Sequence, residues 1–309
     1  MEDSGFSVVD VFSGCGGLSL GFEKAGFDVL CGVDSWGCAV ETYNANFEHP
    51  CVNVDAGDVD AVVRVLFPFF EGVTGVRPGL VGGPPCQDFS SAGKRVEGSR
   101  AGLTEKFAEV AGVLRPGFVV MENVPQAVKA GSYQRALGML QEFGYSVGLV
   151  VLDASKCGVP QRRKRLFALG FEDERVVRYV LGLLESEQDE VSMTVRDYFG
   201  EDLAFDHYYN PPRSYARRGV FSVDEPAPTI RGVNRPVPPG YVSHHGDTAP
   251  VEEVRALTFR ERASIQTFPD DFEFLGSKTN IEQMIGNAVP VNLGLFVAER
   301  VRRGLELLG

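Results

Sequence analysis

No run of this chain reaches the ~20 consecutive apolar residues that a membrane-spanning helix needs. Its opening, Met1-Glu2-Asp3-Ser4-Gly5, has neither the basic start nor the apolar core of a secretory signal. Cys15, Cys31, Cys38, Cys51, Cys86 and Cys157 contain no Cys-x-x-Cys pair, so no metal site and no disulfide framework is indicated. A reduced, cytoplasmic setting is expected. Positive charge is in deficit: 30 Lys and Arg face 42 Asp and Glu. The resulting net charge of −12 argues against indiscriminate nucleic-acid binding. Lysine is scarcer still, seven against twenty-three arginines, a bias that fits a GC-rich genome or a salt-rich cytoplasm equally. There is no internal repeat and no low-complexity tract.

What is present suffices for a full α/β core and a smaller second lobe, with 44% of 309 residues apolar. Through residue 170, short apolar runs alternate with helical stretches such as 36–47, 102–114 and 132–143. That is the pattern of a doubly wound, mostly parallel sheet, a Rossmann-like fold. A helix is expected to continue over 171–185. From 186 to 250 the text changes, with Pro211, Pro212, Pro226, Pro228, Pro236, Pro238 and Pro239 interleaved with Arg. It reads as a loop-rich lobe rather than another βαβ unit. A helical stretch follows around Leu257, Glu261 and Ile265, and a last helix over 288–307 should pack back on the first lobe. The large lobe is therefore expected to be discontinuous, 1–185 plus 273–309, with 186–272 as the second lobe and hinge. Charge is laid out unevenly as well. Residues 156–168 hold five basic and no acidic side chains, whereas 172–206 hold eleven acids against three Arg. A basic cleft in an acidic body binds DNA selectively while repelling it elsewhere.

Several short strings carry chemistry. Residues 82–90 read GGPPCQDFS. Pro84 and Pro85 lack N–H groups and fix φ, so Cys86 sits on a stiff loop past the strand run 79–82, where ligands approach an open α/β sheet. A core cysteine needs no such loop, and Cys86 reads as a nucleophile. Residues 10–21, DVFSGCGGLSLG, follow another apolar run and break into Gly14, Gly16 and Gly17 before a helix. Glycine lets a ligand approach the backbone, and the helix start offers free N–H groups. Asp34 ends the next apolar run, placed to accept from ribose hydroxyls, and Asp58 ends a third, placed to accept from an adenine amino group. Together they favour an adenosine-containing ligand. The buried run 118–121 exits into Glu122-Asn123-Val124-Pro125, a costly place for a charge and one that suits a proton donor. Gln161-Arg162-Arg163-Lys164-Arg165 leads into a further strand, so Gln161, Arg163 and Arg165 share one face and offer donors for phosphate or a base carbonyl.

These strings, in this order, resemble the DNA (cytosine-5)-methyltransferases that depend on S-adenosyl-L-methionine. DVFSGCGG, GGPPCQ, ENVP and QRRKR match, as do RALTFRERASIQTFPDDF at 255–272 and QMIGNAVPVNLG at 283–294. Only about 171–250 lies outside the match. The resemblance implies that Cys86 adds to carbon 6 of cytosine, that Glu122 contacts N3 and the exocyclic amine, and that Arg163 binds O2, with Arg165 beside it. It implies a cofactor pocket of Phe12, Gly14, Gly16, Gly17, Leu18, Asp34, Ser35, Asp58, Val59, Pro84, Leu103, Asn287 and Ala288, with S-adenosyl-L-homocysteine as product. Ser35 departs from the family, which often has a large apolar residue there packing on adenine, and Trp36 follows it. Duplex DNA is the implied partner, met by a target-recognition region in 186–272. Gln161, Arg231, Asn234 and Arg235 are the candidate DNA contacts; Arg forks pair with guanine O6 and N7, or else grip phosphates. A monomer is expected, nucleoid-associated when bound, and a cognate restriction endonuclease encoded nearby fits the resemblance. Two other readings stay open: the tRNA-methylating branch of the same fold, and a catalytically silent DNA-binding regulator, which the presence of Cys86, Glu122 and Arg163 disfavours.

Overall fold

The computed structural model describes residues 5–73, 75–85, 102–200, 203–214 and 217–308. The strands are β1 (Ser7–Val11), β2 (Asp28–Asp34), β3 (Cys51–Asn53), β4 (Gly79–Gly82), β5 (Phe118–Asn123), β6 (Ser146–Asp153), β7 (Gln161–Arg162), β8 (Lys164–Phe171), β9 (His207–Tyr209), β10 (Val220–Ser222) and β11 (Ala227–Pro228). The helices are α1 (Gly17–Lys24), α2 (Gly37–Asn46), α3 (Val59–Leu66), α4 (Leu103–Leu114), α5 (Gly131–Glu142), α6 (Glu174–Ser186), α7 (Val195–Phe199), α8 (Phe259–Ile265), α9 (Lys278–Asn287) and α10 (Val291–Leu305).

Seven strands form one sheet in the order β3-β2-β1-β4-β5-β8-β6, parallel from β3 to β5 and antiparallel on both sides of β8. The expected doubly wound, mostly parallel sheet is what the chain forms. Burial explains why its strands were visible as uniform apolar runs. Central β4 and β5 are buried at every position, because helices cover both faces. Edge strand β6 alternates instead, with Leu149 and Val151 exposed between buried Gly148, Val150 and Leu152.

One face of the sheet packs against α1, α6 and α10 through Phe22, Val180, Leu184, Leu293, Val297 and Val301. The other packs against α3, α4 and α5 through Val62, Leu66, Phe107, Ala111, Ala136 and Leu140. Helices α1 and α10 approach so closely that a Cβ on Gly21 would lie 2.6 Å from the Leu295 nitrogen. The C-terminal helix thus shares an apolar cluster with the sheet.

A third apolar cluster joins Val195, Tyr208, Val223, Ile230, Leu257, Phe268, Met284 and Ile285. Among the described residues between 187 and 258, regular structure is limited to five-residue α7, β9 paired with β10, β11 and short turns. Helices α8 and α9 pack with this cluster, so apolar packing passes back to the sheet at Val289.

Candidate active site

Strand register brings the separate strings to one edge. Chain order reverses between β1 and β4, which lie side by side with Val11 opposite Gly82, and ligands of such sheets bind outside the carboxyl ends at that switch. Val33 of β2 is opposite Val11, and Gly82 is opposite Met121 of β5. One residue further along each strand stand Asp34, Phe12, Gly83 and Glu122, in a row. Antiparallel β8 pairs Leu166 with Asn123, which carries Arg165 past the end of β5.

At the first of these ends the chain turns sharply. Phe12 (φ 66), Gly14 (φ 55) and Gly16 (φ 95) are left-handed, a costly conformation for a phenylalanine and a cheap one for glycine. The Phe12 and Ser13 amides donate to the Val33 carbonyl, and the Gly14 and Trp36 amides donate to the two Asp34 carboxylate oxygens at 2.9 and 2.8 Å. Burial raises the Asp34 carboxyl above its ordinary value, while those amides oppose the shift. A side chain on Gly14 would meet nothing within 4 Å, so the loop leaves open space there. Gly17, by contrast, is covered: a Cβ would fall 2.3 Å from the Val289 carbonyl oxygen and 3.3 Å from the Ala288 Cβ. The first and last strings of the sequence therefore touch. Leu18 is buried beneath this loop, Ser35 is exposed, and Trp36 packs partly into the third cluster. Asp58 caps α3 by accepting from the Ala61 amide at 3.0 Å through Oδ1, with Val59 half-buried after it. Leu103 comes within 3.6 Å of where a Gly57 Cβ would stand, beside that turn. Asn287 is exposed at the end of α9.

The second end holds the charged pair. Glu122, 9% exposed, is met by the Arg165 Nε at 2.7 Å, and the guanidinium offsets the cost of placing a carboxylate at a buried strand exit. Its Oε2 lies 2.9 Å from the position of a Gly83 Cβ, so the carboxylate stands directly over that glycine. Pro84 is buried, and its carbonyl accepts from the Asn123 side chain at 3.2 Å. That contact ties the proline loop to the strand bearing Glu122. Gly83 and Asn123 were not singled out from sequence; the signal available was a second glycine and an Asn flanking the two strings.

Cys86 lies outside the described residues. Four of the other cysteines are poor nucleophiles. Burial pushes the Cys31 thiol up to about 11 and the Cys15, Cys51 and Cys157 thiols up to about 12, and half-buried Cys38 accepts from Asn280.

The basic run alternates as expected, with Arg162 and Lys164 exposed and Gln161, Arg163 and Arg165 turned inward. Two expected roles change. Gln161 is fully buried and bonds Gln266 and the Ile230 amide, so it is not placed to touch DNA. Arg163, 2% exposed, donates to the Ile230, Gly286 and Ala288 carbonyls; the guanidinium beside Glu122 is that of Arg165. Asn234 also turns inward, donating to the Leu257 carbonyl and to Glu282, itself buried against Arg262 at 3.0 Å. Arg231 is half-buried and bonds the Pro211 carbonyl, and desolvation lowers its proton affinity. Of the four candidate DNA contacts, only Arg235 is exposed.

A Rossmann-like sheet with a glycine-rich turn and a buried acid–guanidinium pair along its carboxyl edge has the build of a group-transfer enzyme. The chain belongs to the C-5 cytosine-specific DNA methylases, whose family model matches residues 6–303. It is 50% identical over 300 residues to the Type II methyltransferase M.HgiDI of Herpetosiphon aurantiacus, covering 97% of this chain and 95% of that one. It is 48% identical over 297 residues to M.HindV of Haemophilus influenzae, covering 95% of each. Among solved structures it is similar to the Dnmt2 methyltransferase of S. pombe (TM-score 0.69, 18% identity, 98% and 99% of the two chains). The methyltransferase EhMeth of Entamoeba histolytica matches too (TM-score 0.72, 17% identity, 97% and 98%). These structural likenesses bear on the fold. The chain is a DNA (cytosine-5)-methyltransferase.

Proposed function

We propose that this enzyme methylates carbon 5 of a cytosine flipped out of a specific duplex sequence, with Cys86 as nucleophile. The observation that carries the reading is the closure of Glu122 and Arg165 over Gly83, three residues before Cys86, next to the glycine cradle. Carbon 5 of cytosine is too weak a nucleophile to take a methyl group unaided. Addition of the Cys86 thiolate to carbon 6 turns the ring into an enamine, and carbon 5 becomes nucleophilic. Glu122 holds N3 and the exocyclic amine while charge develops there, and Arg165, positioned against it, takes the O2 role. After methylation, loss of the carbon-5 proton expels the thiolate and restores the ring. Reaching these atoms requires extrusion of the base at a cost of a few kcal/mol.

S-adenosyl-L-methionine, when bound, supplies the methyl group. The open space over Gly14 and the buried Asp34 fit such a group. Phe12, Gly14, Gly16, Gly17 and Leu18 would line it, Asp34 would meet the ribose, and Ser35, Asp58, Val59 and Leu103 the adenine. Pro84, Asn287 and Ala288 would close the pocket. We assign target recognition to the lobe within 186–272. The names of M.HgiDI and M.HindV as Type II methyltransferases support a cognate endonuclease as companion.

A duplex carrying 5-fluorocytosine at the target tests the chemistry, because fluorine cannot leave as a cation and elimination is blocked. Wild-type protein with cofactor should form a covalent complex stable to denaturation. Cys86→Ala should form none and still bind the duplex. Methyl transfer by Cys86→Ala would overturn the mechanism.

A further inference from the structure

Two of the three inward residues of the basic run, Gln161 and Arg163, converge on one backbone unit of the other lobe. Strand β11 pairs in parallel with β7, Ala227 opposite Gln161 and Pro228 opposite Arg162, and the Ala227 amide donates to the Pro160 carbonyl at 2.8 Å. Thr229 continues the seam by donating from Oγ1 to the Arg162 carbonyl at 2.8 Å. At Ile230 side chains take over from backbone. Gln161 Oε1 accepts the Ile230 amide at 2.9 Å, and Arg163 donates to the Ile230 carbonyl at 2.9 Å. Both polar groups of one residue are thus held by side chains two positions apart, at and just after β7, with Arg165 following at the start of β8.

That grip is anchored on its far side. Gln161 Nε2 donates to Gln266 Oε1 at 2.7 Å, and Gln266 in turn donates to the Ile285 and Ala288 carbonyls. The second Arg163 nitrogen donates to Gly286 and Ala288 at 3.0 Å each. Gly286 lies against the same segment, where a Cβ would come within 2.2 Å of the Arg231 carbonyl carbon. Arg262 donates to the next carbonyl, that of Arg231. No ordinary loop needs its backbone fixed from so many directions. The segment leads directly into Arg235, which is exposed.

We infer that Gln161 and Arg163 are positioning residues for sequence recognition. They fix the distance between the proposed target-base pocket at Glu122 and Arg165 and the segment that presents exposed Arg235. A single residue, Lys164, separates Arg163 from Arg165, so this spacing is set by a few rigid bonds rather than by the relative drift of two lobes. A fork is needed because three carbonyls from two elements must be met at once, and buried carbonyls left unpaired would be costly. The inference rests on the proposal that the enzyme methylates a specific duplex sequence.

Methylation profiles on a randomised duplex library, with separate kcat and KM for preferred and disfavoured duplexes, test it. Arg163→Lys keeps the charge and loses the fork; Gln161→Met keeps the volume and frees the Ile230 amide. Both should spread methylation onto sequences the wild type ignores, lowering the preferred-to-disfavoured kcat/KM ratio by about ten- to hundredfold. Both should still form the 5-fluorocytosine adduct on the preferred duplex. Should Arg163→Lys fail to fold, Gln161→Met carries the same expectation alone. Unchanged profiles with a fall only in kcat would overturn the inference and place Arg163 in the chemistry. A wild-type enzyme with no preferred sequence would overturn the underlying proposal as well, and the wild-type profile alone reports that.

Discussion

At the scale of single residues, the polar groups beneath the cofactor loop are the least expected part of the molecule. Asp10, in the middle of the parallel sheet, is fully buried, and Ser19 donates to its Oδ2 at 2.6 Å. Tyr43 donates to Ser19 at 3.0 Å and lies 3.2 Å from the His49 Nδ1, while Asp10 Oδ1 has no partner among the described residues. Burial raises the Asp10 carboxyl from 3.8 to about 7, with Ser19 opposing and Asp34 adding to the rise. A carboxyl whose folded value lies above its unfolded one binds its proton more tightly when folded. Its stabilising contribution is therefore complete below about 4 and is lost as pH rises through about 7. We expect the wild type to lose roughly 2–3 kcal/mol more than Asp10→Asn between pH 5 and pH 8. Denaturant midpoints of both proteins at the two pH values measure it, and parallel pH profiles would contradict it. Sequence could show Asp10 inside an apolar run but not its burial. Likewise it could show the alternation of 161–165 but not what waited at each face. The partners of Gln161 and Arg163 lie 67 or more residues away in sequence, so their inward roles were out of reach. Glu122 was legible because the cost of a charge at a strand exit is local.

Among elements, legibility followed burial. Strands β1, β4 and β5 announced themselves because their apolar residues face layers on both sides, and helices α4 and α5 because one apolar face packs on the sheet. Helix α9 did not. Its ten residues, KTNIEQMIGN, include few apolar side chains, and one buried position is Glu282, paired with Arg262. The turn from β1 into α1 was plain from its glycines, yet those glycines do different things, and substitution should separate them. A Cβ on Gly17 would strike the Val289 backbone at 2.3 Å, so α1 must move off the turn before α10. Overpacking of this kind costs about 1–3 kcal/mol. A Cβ on Gly14 meets nothing within 4 Å but forces alanine to φ 55, worth about 1–2 kcal/mol, and occupies the open side of the cradle. Gly17→Ala should therefore lose both stability and cofactor affinity, with α1 displaced from α10. Gly14→Ala should lose cofactor affinity out of proportion to its smaller loss of stability. Calorimetric titration with S-adenosyl-L-homocysteine beside thermal unfolding gives both quantities, and intact binding by Gly14→Ala would remove it from the pocket.

For the molecule as a whole, the question is how a body of net charge −12 holds a polyanion. Much of its positive charge is already spent internally. Arg165 and Arg262 sit in pairs with Glu122 and Glu282, Arg163 is bound to carbonyls, and Arg300 and Arg303 meet Glu187. Arg162 and Lys164 differ: both are exposed, and neither makes an ion pair among the described residues. They flank the inward residues of the same run, next to the β7–β11 pairing, on the side where the proposed target-base pocket at Glu122 lies. A cationic edge on an acidic body favours contact with phosphates on that side and repels a duplex elsewhere. Each neutralised phosphate contributes about −0.9 to the slope of log affinity against log salt. Arg162→Ala and Lys164→Ala should each flatten that slope by about one, weaken all duplexes alike and leave the preferred sequence unchanged. Arg235→Ala, if it removes a guanine contact, should leave the slope nearly intact and relax one position at a cost of about 1–3 kcal/mol. Titrations of preferred and scrambled duplexes between 50 and 200 mM salt separate these outcomes. A slope untouched by both Arg162→Ala and Lys164→Ala would mean that the duplex is held by another face.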